Sequence, residues 1–404
     1  MNKIEFYKET EFKETPIGKI PKDWEVINIC DYVNILKGFA FSSEYFNEKK
    51  EGMPLIRIRD LGKSETESYY SGPFDPTYIV QKGDILVSMD GEFNAHIWNG
   101  SPGLLNQRIC KIYPKDYSKL SAFFLYYQIQ KPLKLIEKQI SQTTVKHLLD
   151  KDIERIRIPL PSIVEQRAIA EVLSVVDLAI QRTDMVIAKT ERLKRGLMQE
   201  LLTRGIGHKE FKDTEIGRIP KNWEVVRLGN IAEVWDKYRV PVKEQDRRKG
   251  KYPYCGANGV IDYIDGYTHD GVFVLLAEDG GFFGPYENSA YIMHSKFWAN
   301  NHVHILKVTE ERATNEFFMF YLNFMDLRPF LTGSTRPKLT QGDMIRIPIP
   351  LPPLPEQQKI AEILSTVDKK LELERSGKAR LEIIKQGLMD LLLTGKVRIR
   401  VDMR

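Results

Sequence analysis

The densest group of side chains with recognisable chemistry is "DKYRVPVKEQDRRKGK" at 236–251, where seven Lys or Arg stand among three acids. Lys237, Tyr238, Arg239, Arg247 and Arg248 belong to it, and Tyr254 and Asn258 come directly after in "KYPYCGANG". "LIRIRD" at 55–60 adds Arg57 and Arg59, which strand alternation would set on one face, and "NQRICKIYP" at 106–114 adds Gln107 and Arg108. Two polar loops complete the set: "ISQTTVKHLLD" (140–150), with Gln142, Thr143 and Lys146, and "LTGSTRPKLTQ" (331–341), with Ser334, Arg336 and Lys338. Arg and Lys can bond the O6 and N7 of guanine, Asn and Gln can bond adenine, and Lys or Ser can hold phosphate. A charged run can also be plain solvated surface.

Catalytic chemistry is harder to assemble. "GKS" at 62–64 has the end of a phosphate-binding loop, but Arg57 stands where its first glycine belongs. "DGGFFG" (279–284) has the wrong spacing for a dinucleotide fingerprint. His302 and His304, with His294 nearby, could seat a metal, although a structural or DNA-facing role suits them better and no metal site is expected. Asp90-Gly91 and Asp279-Gly280 read as turns rather than catalytic pairs. The expectation is a binding protein that is not an enzyme.

Bulk composition agrees. The 404 residues are 42% hydrophobic and 28% charged, with a net charge of +5, which is the profile of a soluble globular chain with a mild basic bias. No run of about 18 apolar residues exists to cross a bilayer, and "MNKIEFYKETEFKET" lacks the apolar core of a signal peptide, so a cytoplasmic protein is expected. Cys30, Cys110 and Cys255 lie too far apart for a paired zinc knuckle and are expected as buried free thiols.

The elements that must position these groups come in duplicate. "IPLPSIVEQRAIAEVLSVVD" (158–177) returns as "IPLPPLPEQQKIAEILSTVD" (349–368), with 13 identities in 20 positions at a displacement of 191. "EFKETPIGKIPKDWEV" (11–26) returns as "EFKDTEIGRIPKNWEV" (210–225), and "GLMQELLT" (196–203) as "GLMDLLLT" (387–394). The fillings between them share only a faint skeleton: "GDILVSMDG" (83–91) aligns with "VFVLLAEDG" (272–280), and "NQRICKIYP" with "NHVHILKVT" (301–309). These apolar runs read as strands of one fold with diverged surfaces.

Each junction starts a helix of about 40 residues, or roughly 60 Å. In the first, Ile169, Val172, Val176, Leu193 and Leu197 keep heptad spacing; in the second, Ile360, Ile363, Val367, Leu381 and Leu388 do so, with a charged middle. Ser162 and Glu165 have the spacing of a capping box, and Pro355 suits a first turn. Neither helix can bury its stripe alone, so the economical partner is its repeat, running antiparallel about a pseudo-twofold axis. The N-terminus would then lie beside the end of the second helix, a circular organisation. The fold class expected is α+β: two similar α/β heads at 1–157 and 206–348, separated by long coiled-coil helices at 158–205 and 349–404, the last including a C-terminal tail. Two unlike heads held on a dyad suit duplex DNA with an asymmetric, two-part site. A helical-hairpin scaffold that binds no DNA is the alternative.

The paired "PLPxxxEQ(R/Q)xIAExLSxVD" helices, the "GLMxxLLT" ends, the "IGxIPKxWEV" entries and "GKYPYCGANGVIDYIDGY" (250–267) together resemble the specificity subunit of type I restriction-modification enzymes. The resemblance covers essentially the whole chain. It implies two target-recognition domains and two spacer helices, with Glu165 and Gln166, Glu356 and Gln357 and the apolar stripes beyond them forming the spacer and part of the docking surface for two methyltransferase subunits. Restriction and translocase subunits would join through those. S-adenosylmethionine, ATP and magnesium would belong to the partners, with no cofactor in this chain.

Overall fold

Four strands carry the first head: β1 (Val33–Lys37), β2 (Ile85–Ser88), β3 (Ala95–Ile97) and β4 (Ile109–Pro114), paired antiparallel in the order β1-β4-β2-β3. Every residue of β2 is buried, because the sheet is covered on both faces. Successive side chains of a strand point to opposite faces. Ile85 and Val87 therefore pack with Phe124 and Leu125 of helix α1 (Ala122–Gln139), while Leu86 packs with Trp98 and with Ile56 and Leu105 of a second sheet. Helix α2 (Ile163–Thr203) leads out of the head.

The second head repeats this order. Its strands β5 (Ala232–Val234), β6 (Phe273–Ala277), β7 (Ala290–Met293) and β8 (Val303–Val308) pair antiparallel as β5-β8-β6-β7. Val274 and Leu276 face helix α3 (Asn315–Phe324), and Phe273 and Leu275 face the other layer. Helix α4 (Leu354–Leu392) closes the repeat. The heads diverge in their second sheets. The first has five short strands in the order Phe46–Asn47, Tyr69–Tyr70, Met53–Ile56, Gly103–Leu105, Ile79–Val80; the second has four, Gly259–Ile264, Lys249–Gly256, Lys296–Ala299 and His269–Asp270.

The computed structural model describes residues 4–140 and 146–401. The chain divides into two compact units, Met1–Arg182 with Lys378–Arg404 and Thr183–Gly377, so the division falls inside both long helices. Each unit is a head with one half of each helix. In the second unit Glu191 meets Arg375 and Lys194 meets Asp368, both at 2.6 Å, an order that requires α2 and α4 to run antiparallel there. In the first unit Asp177 meets Lys385 at 2.6 Å, which is the Lys194–Asp368 pair shifted by the 191-residue repeat. The first unit also pairs the chain's ends, strand Ile4–Lys8 running antiparallel to Val397–Val401.

Several expectations are corrected in detail. Arg57 and Arg59 do not share a strand face, because the strand ends at Ile56 and a 3-10 turn covers Ile58–Asp60. The alignment of 106–114 with 301–309 slips by one residue: Met89 N–H donates to the Arg108 carbonyl and Glu278 N–H to the His302 carbonyl, making Arg108 the counterpart of His302. Cys110 and Cys255 are buried, and desolvation pushes both thiols up to about 12, but Cys30 is only partly buried. Among the described residues no helix is long and apolar enough to cross a membrane.

Candidate nucleic-acid interface

Each head is fastened to its helix by the repeated Glu-Gln pair. Gln166 is fully buried: its Oε1 accepts from Ser121 N–H at 2.9 Å, and its Nε2 donates to the Lys119 and Pro161 carbonyls at 3.0 and 2.9 Å. Gln357 does the same with Thr314 N–H and the Arg312 and Pro352 carbonyls, at 3.0, 2.9 and 2.8 Å. A buried carboxamide with three partners fixes both position and direction. Glu165 accepts from Trp24 Nε1 and Glu356 from Trp223 Nε1, at 3.2 and 3.1 Å. The capping box is thus half formed: Ser162 Oγ accepts from Glu165 N–H, while the Glu165 carboxylate turns to Trp24 and Arg398.

On the first head Gln107 and Arg108 are exposed where β4 begins, and Arg59 donates to Ser68 Oγ at 3.0 Å. Arg57 is half-buried at the start of the turn, and Lys146 pairs with Glu137 at 3.5 Å. Gln142 and Thr143 lie outside the described residues.

On the second head the basic run separates into two kinds of group. Arg239 is drawn inward onto Asp236, Glu278 and the Val303 carbonyl, and Arg247 lies over the Tyr254 ring at 4.6 Å, with Tyr254 itself buried. Lys237 lies over Tyr238 at 4.8 Å, and Lys237, Tyr238 and Arg248 are exposed. Asn258, Ser334, Arg336 and Lys338 are exposed as well. Asn258 and Arg336 line an open pocket of about 460 Å³ with Asp279, Asn300 and His302. Arg336 also lines a neighbouring pocket of about 420 Å³ with Phe282, Thr335 and Pro337.

His302 and His304 turn to different carboxylates. His304 places its nitrogens on Asp236 and the Leu339 carbonyl, at 2.6 and 2.8 Å, whereas His302 binds Asp279. Asp236, Glu278 and His304 bring possible ligand atoms within 4.8 Å of one another. Arg239 already meets both carboxylates and Lys338 also meets Glu278, so the group is a charge-compensated knot. It ties β6 and β8 to the 331–341 loop.

Of the spacer residues, Ile169 and Ile360 are fully buried and Val172, Val176, Leu197, Ile363, Val367, Leu381 and Leu388 partly so, whereas Leu193 is 56% exposed. Thr190, Met198 and Leu202 are buried in its place. A straight helix drifts about 20° per heptad from a 3.5-residue repeat, so the packed face moves off Leu193.

Three features escaped the motif reading. Trp24 and Trp223 complete the Glu bonds, and the constant position of Trp in the repeated entry could have shown it. Arg398 completes Glu165 from a tail that no repeat marked. Asp90 and Asp279, read as turn residues, each gather basic groups from two segments: Arg108 and His147 on Asp90, His302 and Arg336 on Asp279.

Comparison with known proteins agrees with this geometry. The family "Type I restriction modification DNA specificity domain" matches residues 21–190 and 220–383. The type I restriction enzyme MjaVIII specificity subunit of Methanocaldococcus jannaschii is 30% identical over 431 aligned positions, covering 98% of both chains. The EcoBI specificity subunit of Escherichia coli is 38% identical over 225, covering 52% of this chain and 47% of that one. The crystal structure of the type I restriction-modification system S subunit from M. genitalium superposes with a TM-score of 0.66 at 18% identity, covering 95% of this chain and 97% of that one, a likeness of fold. With both halves matched and a full-length relative at this identity, the chain belongs to the type I restriction-modification DNA specificity family.

Proposed function

We propose that the chain is the sequence-reading, non-catalytic subunit of a type I restriction-modification complex, and that each head reads one half of an asymmetric, two-part duplex site. One observation carries this reading. The junction and the four-stranded sheet recur with the same partners, while the second sheets and the exposed basic and amide groups on the loops and strand ends differ between heads. A common mount with unlike faces suits two different half-sites on one duplex.

In this proposal the antiparallel helices set the unread gap, with the halves related by a pseudo-twofold axis and the chain ends meeting to complete a circular arrangement. Two methyltransferase subunits dock on the spacer, where Glu165, Gln166, Glu356 and Gln357 hold the helices in place, and restriction and translocase subunits join through them. S-adenosylmethionine, ATP and magnesium belong to those partners, and the complex works in the cytoplasm. Candidate DNA contacts are the exposed groups: Arg59, Gln107, Arg108, Lys237, Tyr238, Arg248, Asn258, Ser334, Arg336 and Lys338.

The test is a binding series with the chain co-purified with its methyltransferase partner, using a duplex that the complex methylates and scrambled versions of it. A strong preference for the methylated sequence and a steep fall in log affinity with log salt concentration are expected, because neutralising phosphates releases counterions. Equal affinity for scrambled duplexes contradicts the proposal.

A further inference from the structure

The Asp-Gly at the exit of β2 and of β6 holds the same position in both heads. Gly91 (φ +74°) and Gly280 (φ +64°) take the left-handed conformation that glycine adopts without strain. Beside this turn runs the loop that precedes each junction. In the first head Leu148 N–H donates to the Met89 carbonyl at 2.7 Å and Gly91 N–H to the Lys146 carbonyl at 3.1 Å; in the second, Leu339 N–H donates to the Glu278 carbonyl at 2.8 Å. Single β-bridges join Asp90 to His147 and Asp279 to Lys338.

Side chains complete the correspondence. Asp90 takes Arg108 at 3.3 Å from the start of β4 and His147 from the loop. Asp279 takes His302 at 2.5 Å from the start of β8 and Arg336 at 3.4 Å from the loop. The carboxylates are largely covered, with 15% and 12% of their side chains exposed, yet their partners face solvent: Arg108 is 64% exposed, His147 53%, His302 41% and Arg336 70%. Exposed ion pairs add little to stability, so folding alone is a weak reason for two such clusters. A guanidinium has five N–H donors in a rigid fork. Anchored on one side by a covered carboxylate, it presents the others in a set direction.

We propose that Asp90 and Asp279 are specificity-positioning residues. Each clasps a loop and a strand start together and aims their basic groups, Arg108 with His147 in the first head and His302 with Arg336 in the second, at base edges in the half-site that its own head reads. This rests on the proposed function above. Asn at either position keeps the shape but removes the charge that gathers the two partners.

The test selects from a randomised duplex library with the complete subunit assembled with its methyltransferase partner, comparing wild type with Asp90→Asn and Asp279→Asn and sequencing the bound DNA. Arg336→Ala and His147→Gln serve as second variants, since they open the clasps from the exposed side and leave the carboxylates in place. Asp90→Asn should lower base preference in one half of the selected motif roughly tenfold and leave the other half unchanged, and Asp279→Asn the reverse, at unaltered melting temperature. Should wild type select a two-part motif and all four variants select it equally well, or lose binding uniformly over both halves, the positioning role is overturned while the functional reading stands. A wild-type complex that selects no motif overturns both.

Discussion

The two units answer the same structural problem differently at one point. Both set a carboxylate against the tryptophan of the repeated entry, Glu165 buried and Glu356 partly so, and both lock the next residue, a glutamine, with three matching bonds. In the second unit, Glu356 is completed by the short segment through which the chain leaves α2: His208 Nε2 at 2.7 Å and Ile206 N–H at 2.9 Å. In the first unit the corresponding partner comes from the strand that follows α4. Glu165 is completed instead by Arg398 of the C-terminal strand, at 2.9 and 2.8 Å, and Arg398 also meets Glu9 at 2.9 Å and Asp23 at 2.7 Å. A connection that one unit makes through the chain, the other makes through charge and a strand pair.

The comparison can be broken most sharply at Arg398. With it removed, Glu165, whose side chain is 6% exposed, keeps only its indole donor among the described residues, and a buried carboxylate stripped of its cation costs about 3–5 kcal/mol. Arg398→Met should lower the denaturant midpoint and speed hydrogen exchange along Ile4–Lys8 and Val397–Val401, with exchange in β5–β8 unchanged. Replacing either locking glutamine should be alike in the two units. Gln166→Leu or Gln357→Leu leaves two carbonyls and one N–H without partners and should cost about 2–3 kcal/mol each, measured by urea unfolding. Clearly unequal losses would show that the locks are not equivalent.

His208→Ala should cost only about 1 kcal/mol, because Glu356 keeps the Trp223 and Ile206 donors. Acid separates the units in the same sense. The Glu9 carboxyl is held down to about 2, first by the Glu11 N–H and then by Arg398, against an ordinary value of 4.5. A depressed carboxyl contributes stability that is complete above its unfolded value and is lost as pH falls through the folded one. Exchange protection of the terminal strand pair should therefore decline between pH 4.5 and about 2. Leu193→Ala should change unfolding by less than about 0.5 kcal/mol, since that side chain lies off the packed face.

Residue order alone made legible whatever is local or repeated. The junctions, the helix starts at Ser162 and Pro355, and strands β2, β4, β6 and β8 all stand where apolar runs and punctuating residues put them. Partner choice across the chain was not legible. Arg239 looks like any residue of a basic run until Glu278 and Asp236 are brought beside it, and Arg108 is matched with His302 only by the ladder register. Arg57 and Arg59 alternate as a strand would, yet Asp60 ends the strand by accepting the Arg57 N–H at 2.9 Å, closing a turn instead.

Two independent readers on one common mount imply a particular pattern of modification. Sequencing the methylated bases that the assembled complex places in random DNA is the most direct measurement. Two unlike runs of specified bases, separated by a gap of constant length and no preferred sequence, are expected. A single continuous run, or methylation without base preference, would contradict the division of work between heads and helices.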